Sequence, residues 1–138
     1  MPGLLLDTCA IIYVAENQAI DPTARQEIAA ASVGGGVFVS PVSAWEIGLL
    51  AAKRGFAFLP DPKAWFQSFL MNAGVRLAPL TAEIAIDSFF LPSSPPVHAD
   101  PADRLLIATA RALNLPIVTR DRRILGYAQA GLVAAIFC

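Results

Sequence analysis

The stretch "DPADRLLIATARALNLPIVTRD", residues 100–121, shows the chain's repeating unit in plain form. Leu106 and Ile107 follow Asp103 by three and four residues, the spacing of one helix face. Asp100 before Pro101 is a good helix start, with an N-cap followed by a proline suited to the first helical position. The helix is expected over 102–113 and stops at "NLP". "PIVT" (116–119) then reads as a short apolar strand, and Asp121 follows it at once. A helix that returns the chain into a short buried strand is the connection a parallel sheet needs.

The same alternation runs through the rest of the chain. Strands are expected at 3–8, 37–40 ("VFVS"), 75–80 ("VRLAPL") and 132–137 ("LVAAIF"). Helical segments are expected around 9–16, 21–32, 43–54, 61–73 and 81–90. The expectation is an α/β fold in one domain, 1–138. Composition agrees: 56% of the 138 residues are apolar and 15% charged, against roughly a quarter charged in ordinary soluble domains. Such a chain suits a sheet covered on both faces, with apolar surface left over for a partner.

Several function classes are disfavoured. No apolar run approaches the roughly 20 residues of a spanning helix. The N-terminus lacks the basic region of a signal peptide, so a cytoplasmic protein away from membranes is expected. Cys9 and Cys138 form neither a zinc spacing nor a disulfide framework. The single histidine, His98, excludes a two-histidine zinc motif and reads as a loop residue. A net charge of −1 offers no overall basic field for nucleic acid. "VGGGV" (33–37) is a turn without the Lys-Ser/Thr of a phosphate loop. Nothing calls for a small organic cofactor.

Of eleven acidic residues, four occupy matching places. Asp7 ends the first strand and is the only charge in "GLLLDTCAIIYV" (3–14). Glu46 lies in the helix after "VFVS", Asp103 begins the helix after the Pro-rich 91–101 segment, and Asp121 follows "PIVT". In an open parallel sheet these all fall at the carboxyl edge, where such folds place their sites. Each acid also has a simpler reading. Ser43 and Glu46 form a capping box, Asp100 caps its own helix, and Asp121 caps a short helix beginning "RDRRI". Asp7 has the weakest such alternative. Crowded carboxylates repel unless protonated or neutralised by a cation. Oxygen ligands without His or Cys point to Mg²⁺, or Mn²⁺ in its place, and so to phosphoryl or phosphodiester chemistry.

"LLLDTCAII", "VSPVSAWEIGLLAAKRG" and "DPADRLLIATARALNLPIVTRD" occur in an order that resembles the PIN-domain proteins, specifically the toxin ribonucleases of VapBC-type toxin–antitoxin pairs. The resemblance covers most of the chain and is only general over 55–98. It implies a three-layer α/β/α sandwich around a mainly parallel sheet, Mg²⁺-dependent cleavage of RNA, homodimers and a cognate antitoxin. Asp7, Glu46, Asp103 and Asp121 match the family's acidic quartet, with Asp7 and Asp103 at its strongest metal-ligand positions. Asp100 is a supporting cap or trades roles with Asp103. Thr8 and Thr119 either hydrogen-bond the carboxylates or finish their strands. Glu46 or Asp121 is the expected acceptor of a proton from an attacking water.

Arg120, Arg122 and Arg123 are expected to contact RNA phosphates; Arg104 either joins them or pairs with Asp100, and Lys53–Arg54 are left open. Trp45, Trp65, Phe66 and Phe69 are expected in core or interface packing rather than stacking on bases. The first helices, with Phe56 and Phe58, are the expected antitoxin groove. The alternatives are a non-catalytic binding module on the same scaffold and a haloacid-dehalogenase-like phosphatase. The latter would use Asp7 as nucleophile but lacks a second Asp two residues on.

Overall fold

The computed structural model describes residues 2–54, 61–92 and 100–138, with the side chain of Arg54 excepted. Five strands form one sheet: β1 (Leu4–Leu6), β2 (Val37–Val39), β3 (Val75–Leu77), β4 (Ile117–Thr119) and β5 (Ala135–Phe137). Their order is β3-β2-β1-β4-β5, and every pairing is parallel. Seven helices connect them among the described residues: α1 (Thr8–Ala15), α2 (Pro22–Ser32), α3 (Pro41–Arg54), α4 (Pro62–Leu70), α5 (Ala82–Asp87), α6 (Pro101–Leu113) and α7 (Arg122–Gln129). His98, Phe56 and Phe58 lie outside the described residues. None of the described helices is long and apolar enough to cross a membrane.

Alternation along each strand divides the apolar residues between two cores. Leu4, Leu6, Val37, Val39 and Val118 pack with Ala10, Ile11, Ile47, Phe66 and Phe69 from α1, α3 and α4. Leu5 and Ile117 point the other way, onto Ile84, Leu106, Ile107 and Tyr127 from α5, α6 and α7. This is the three-layer sandwich, and it explains why β1 is buried at all three positions. Each such leucine contributes about 1.5–3 kcal/mol on burial.

The strands are shorter than the apolar runs that announced them. "VRLAPL" keeps only Val75–Leu77 in the sheet, at its edge, with Leu77 and Leu80 exposed. Helix α6 ends as expected, with Asn114 in the left-handed conformation that closes it (φ 52°). Phe66 and Phe69 are core residues, whereas Trp45 is 64% exposed. One turn depends on glycine. Gly74 has φ +80°, and a Cβ there would lie 2.0 Å from the Ser32 carbonyl oxygen. The Gly74 carbonyl also accepts the Val37 N–H at 2.8 Å, where β2 begins. Gly74→Ala is therefore expected to lower stability by about 2–4 kcal/mol, read as a fall in the urea midpoint.

Candidate metal and nuclease site

The chain lays β2 and β3 on one side of β1 and then places β4 and β5 on the other. The strand order thus reverses between β1 and β4, and the crevice beyond their carboxyl ends is where open parallel sheets bind ligands. A cleft of about 360 Å³ opens there. Asp7, Glu46, Asp100, Asp103 and Asp121 all line it, together with Thr8, Cys9, Tyr13 and Arg120.

Asp7 follows β1 and is the N-cap of α1, its Oδ1 accepting the Ala10 N–H at 2.8 Å. The expectation that this residue has little structural role is corrected: the helix begins at Thr8, which leaves Asp7 at the cap. The buried Thr119 hydroxyl hydrogen-bonds the same carboxylate, and its oxygen accepts the Asp121 N–H at 3.0 Å. Asp121 caps α7 through the N–H groups of Arg123 (2.8 Å) and Ile124 (3.2 Å). Asp100 caps α6 through Ala102 (2.9 Å), which leaves Asp103, in the first turn, outside the capping role.

The capping box at Ser43 and Glu46 does not form. Helix α3 starts at Pro41, and the Ser40 hydroxyl accepts the Val42 N–H at 3.0 Å. Proline takes the first helical position, so the residue before it caps. Glu46 is thereby moved into the second turn, where its carboxylate accepts a hydrogen bond from the Thr8 hydroxyl.

The arginines expected to act together are separated. Arg120 reaches into the cleft, stacked 4.3 Å from the Tyr13 ring centroid, with Nη2 donating to the Cys138 carbonyl at 2.7 Å. Arg122 and Arg123 stand exposed on the first turn of α7, outside the cleft lining. Arg104 lies over the Phe89 ring at 5.3 Å.

Burial sets the electrostatics. Asp103 is pushed up to about 7 by burial first and then by the charges of Asp100, Asp121, Glu46 and Asp7. Burial also raises Asp7, opposed by its hydrogen bonds from Thr119 and Ala10 and reinforced by Asp121 and Glu46. Glu46 is raised by burial, with the Thr8 hydroxyl working against the shift. The Cys9 thiol, exposed at the cleft, is driven up to about 11 by desolvation and then by the charges of Asp7, Glu46 and Asp103. Most of the cleft's potential donors are carboxylate oxygens, which suit a hard divalent cation. As the side chains stand, no three such groups among the described residues converge closely enough to hold one ion. Five acids nevertheless line one cleft, which is the donor chemistry a hard divalent cation takes.

The chain matches the family model of the PIN domain over residues 4–129. It belongs to the PIN-domain family. This PIN domain is 34% identical to Ribonuclease VapC22 of Mycobacterium tuberculosis over 125 residues, 90% of this chain and 91% of that protein. Its fold is similar to that of VapBC2 from Rickettsia felis, solved bound to a promoter DNA fragment (TM-score 0.72, 12% identity, 98% of both chains). It is also similar to a toxin–antitoxin complex from Klebsiella pneumoniae (TM-score 0.60, 18% identity, 89% of this chain and 91% of that one). At those identities the structural likeness speaks for the fold alone.

Two residues lining the PIN-domain cleft, and one buried beside it, escaped sequence reasoning. Cys9 and Tyr13 were legible only once α1 was known to begin at Thr8. Ser43, hidden by its apparent capping role, meets Thr8 across 35 residues of sequence.

Proposed function

We propose that the protein is a divalent-metal-dependent endoribonuclease acting as the toxin of a toxin–antitoxin pair, with the whole chain as one nuclease domain. The observation that carries this reading is that Asp7, Glu46, Asp103 and Asp121 line one cleft at the strand-order reversal of a PIN domain. The 34% identity to a VapC ribonuclease supports it.

Asp7 and Asp103 would hold Mg²⁺ or Mn²⁺, with Glu46 and Asp121 completing the site directly or through water. When bound, the cation supplies an acidified water and a counter-charge for the phosphate. Glu46 or Asp121 accepts the proton of the attacking water. Asp100 and Thr119 hold α6 and Asp7 in place. Arg120, fixed on the Tyr13 ring, contacts phosphate beside the acids, and Arg122 and Arg123 extend that contact along the RNA backbone. A cognate antitoxin and a second copy of the chain are the implied protein partners. Exposed apolar residues such as Trp45, Phe89 and Phe90 are the surface they have to cover.

The test is cleavage of a mixed cellular RNA pool by purified, antitoxin-free protein with Mn²⁺ or with EDTA. Metal-dependent cutting that leaves 5′-phosphate and 3′-hydroxyl ends is expected. Cyclic phosphate ends would report attack by the RNA's own 2′-hydroxyl and overturn the water mechanism. A non-catalytic RNA- or protein-binding module is the second reading, favoured by the lack of three converging acids among the described residues. RNA retention without cleavage, insensitive to EDTA, would establish it.

A further inference from the structure

Glu46 is a long, flexible side chain that stands half-exposed at the cleft, and something has to select one of its rotamers. The Thr8 hydroxyl touches two oxygens: it is 2.9 Å from Ser43 Oγ and in hydrogen-bond contact with Glu46 Oε1. A threonine hydroxyl carries one proton, and an ionised carboxylate can only accept. Thr8 therefore donates to Glu46, and Ser43 donates to Thr8. Ser43 and Thr8 are both buried, at 0% and 7% exposure. Ser43 is not needed to start α3, because Ser40 does that. The Ser43 hydroxyl, in the first turn of α3, instead faces α1.

We infer that Ser43 and Thr8 form a buried hydroxyl relay that fixes the Glu46 carboxylate at the cleft, making Ser43 a positioning residue of the site. This rests on the nuclease reading above and names a device within it. The relay joins the first turn of α1 to α3, so the residue next to Asp7 also holds Glu46. It spans two helices whose Ala10, Ile11 and Ile47 also share one buried core. Serine and threonine serve there through their hydroxyl protons, since valine would fill the space of threonine and alanine would remove only the serine hydroxyl.

The test is a double-mutant cycle on the full chain, read by calorimetric titration with Mn²⁺ and by RNA cleavage rate. Ser43→Ala and Thr8→Val are expected to weaken Mn²⁺ binding and to slow cleavage by about tenfold or more each. Thr8→Ser, which keeps the proton, is expected to restore both and covers the case in which the valine variant folds poorly. In a Glu46→Gln background, Ser43→Ala is expected to add less than about twofold, because the residue acts through the lost carboxylate. The relay is overturned if Ser43→Ala costs the same factor in that background, or if Thr8→Val binds and cuts like the parent. A parent protein that neither binds Mn²⁺ nor cleaves RNA would instead sink the nuclease reading, and the relay with it.

Discussion

Asp7→Asn is expected to abolish RNA cleavage while leaving the metal-free protein at least as stable as the parent. The two halves of this result come from the two tasks of one side chain. As an N-cap, asparagine equals aspartate, and its Oδ1 can still accept the Ala10 N–H. As a ligand it lacks the charge, and the loss of a directly held cation is expected to slow cleavage about a thousandfold or more, equivalent to about 4 kcal/mol of barrier. Burial makes the ionised Asp7 unfavourable in metal-free protein, so removing the charge relieves a repulsion with Asp121 and Glu46. A gel assay with Mn²⁺, paired with thermal melting in EDTA at pH 8, reads both. A variant that cuts as well as the parent would refute the metal site. One that loses activity and melts far lower would mark Asp7 as structural.

Metal-free protein is expected to lose stability as pH rises from 5 to 8, and a divalent cation is expected to restore it. Asp103 has a folded value near 7, well above its ordinary 3.8. A group raised in the folded state stabilises the fold fully below its unfolded value, and that contribution is lost as pH rises through the folded one. Asp7 and Glu46 are shifted in the same direction and add to the slope. At pH 8 a cation at a hundred times its dissociation constant contributes about 2.7 kcal/mol, roughly 5–10 °C for a domain of this size. At pH 5 the protons already fill its role, and its effect should be small. Melting curves across this range, with EDTA and with Mn²⁺, and again for Asp103→Asn, provide the check. A flat profile in EDTA would remove the electrostatic basis for the site.

The acids also show what could be read from sequence and what could not. The alternation of short apolar runs with helical spacing was enough for the parallel sheet, and the strand ends placed Asp7 and Asp121 correctly at its carboxyl edge. Capping was the weaker guide. Glu46, with the stronger capping signature, does not cap, and Asp7, with the weaker, does. In "SPVSAWE" the decisive signal was Pro41, which assigns the cap to Ser40 and frees Ser43. Strand length was overread at "VRLAPL" because an edge strand pairs on one side only and hydrogen bonding ends before the apolar run does. Arg120 and Arg122 are neighbours in sequence but not in place, since the Asp121 cap turns the chain between them. The Ser43–Thr8 contact has no local signature at all, because it arises from packing one helix on another.

The strand order β3-β2-β1-β4-β5 also sets a clock. Asp7 and Glu46 belong to the first third of the chain and Asp103 and Asp121 to the last, and they meet only when β4 settles against β1. A chain still emerging from the ribosome therefore holds half a site until its final quarter is made. After dilution from denaturant, the first appearance of cleavage would time that single docking event, while collapse of the core around α1 to α4 proceeds unseen by the assay.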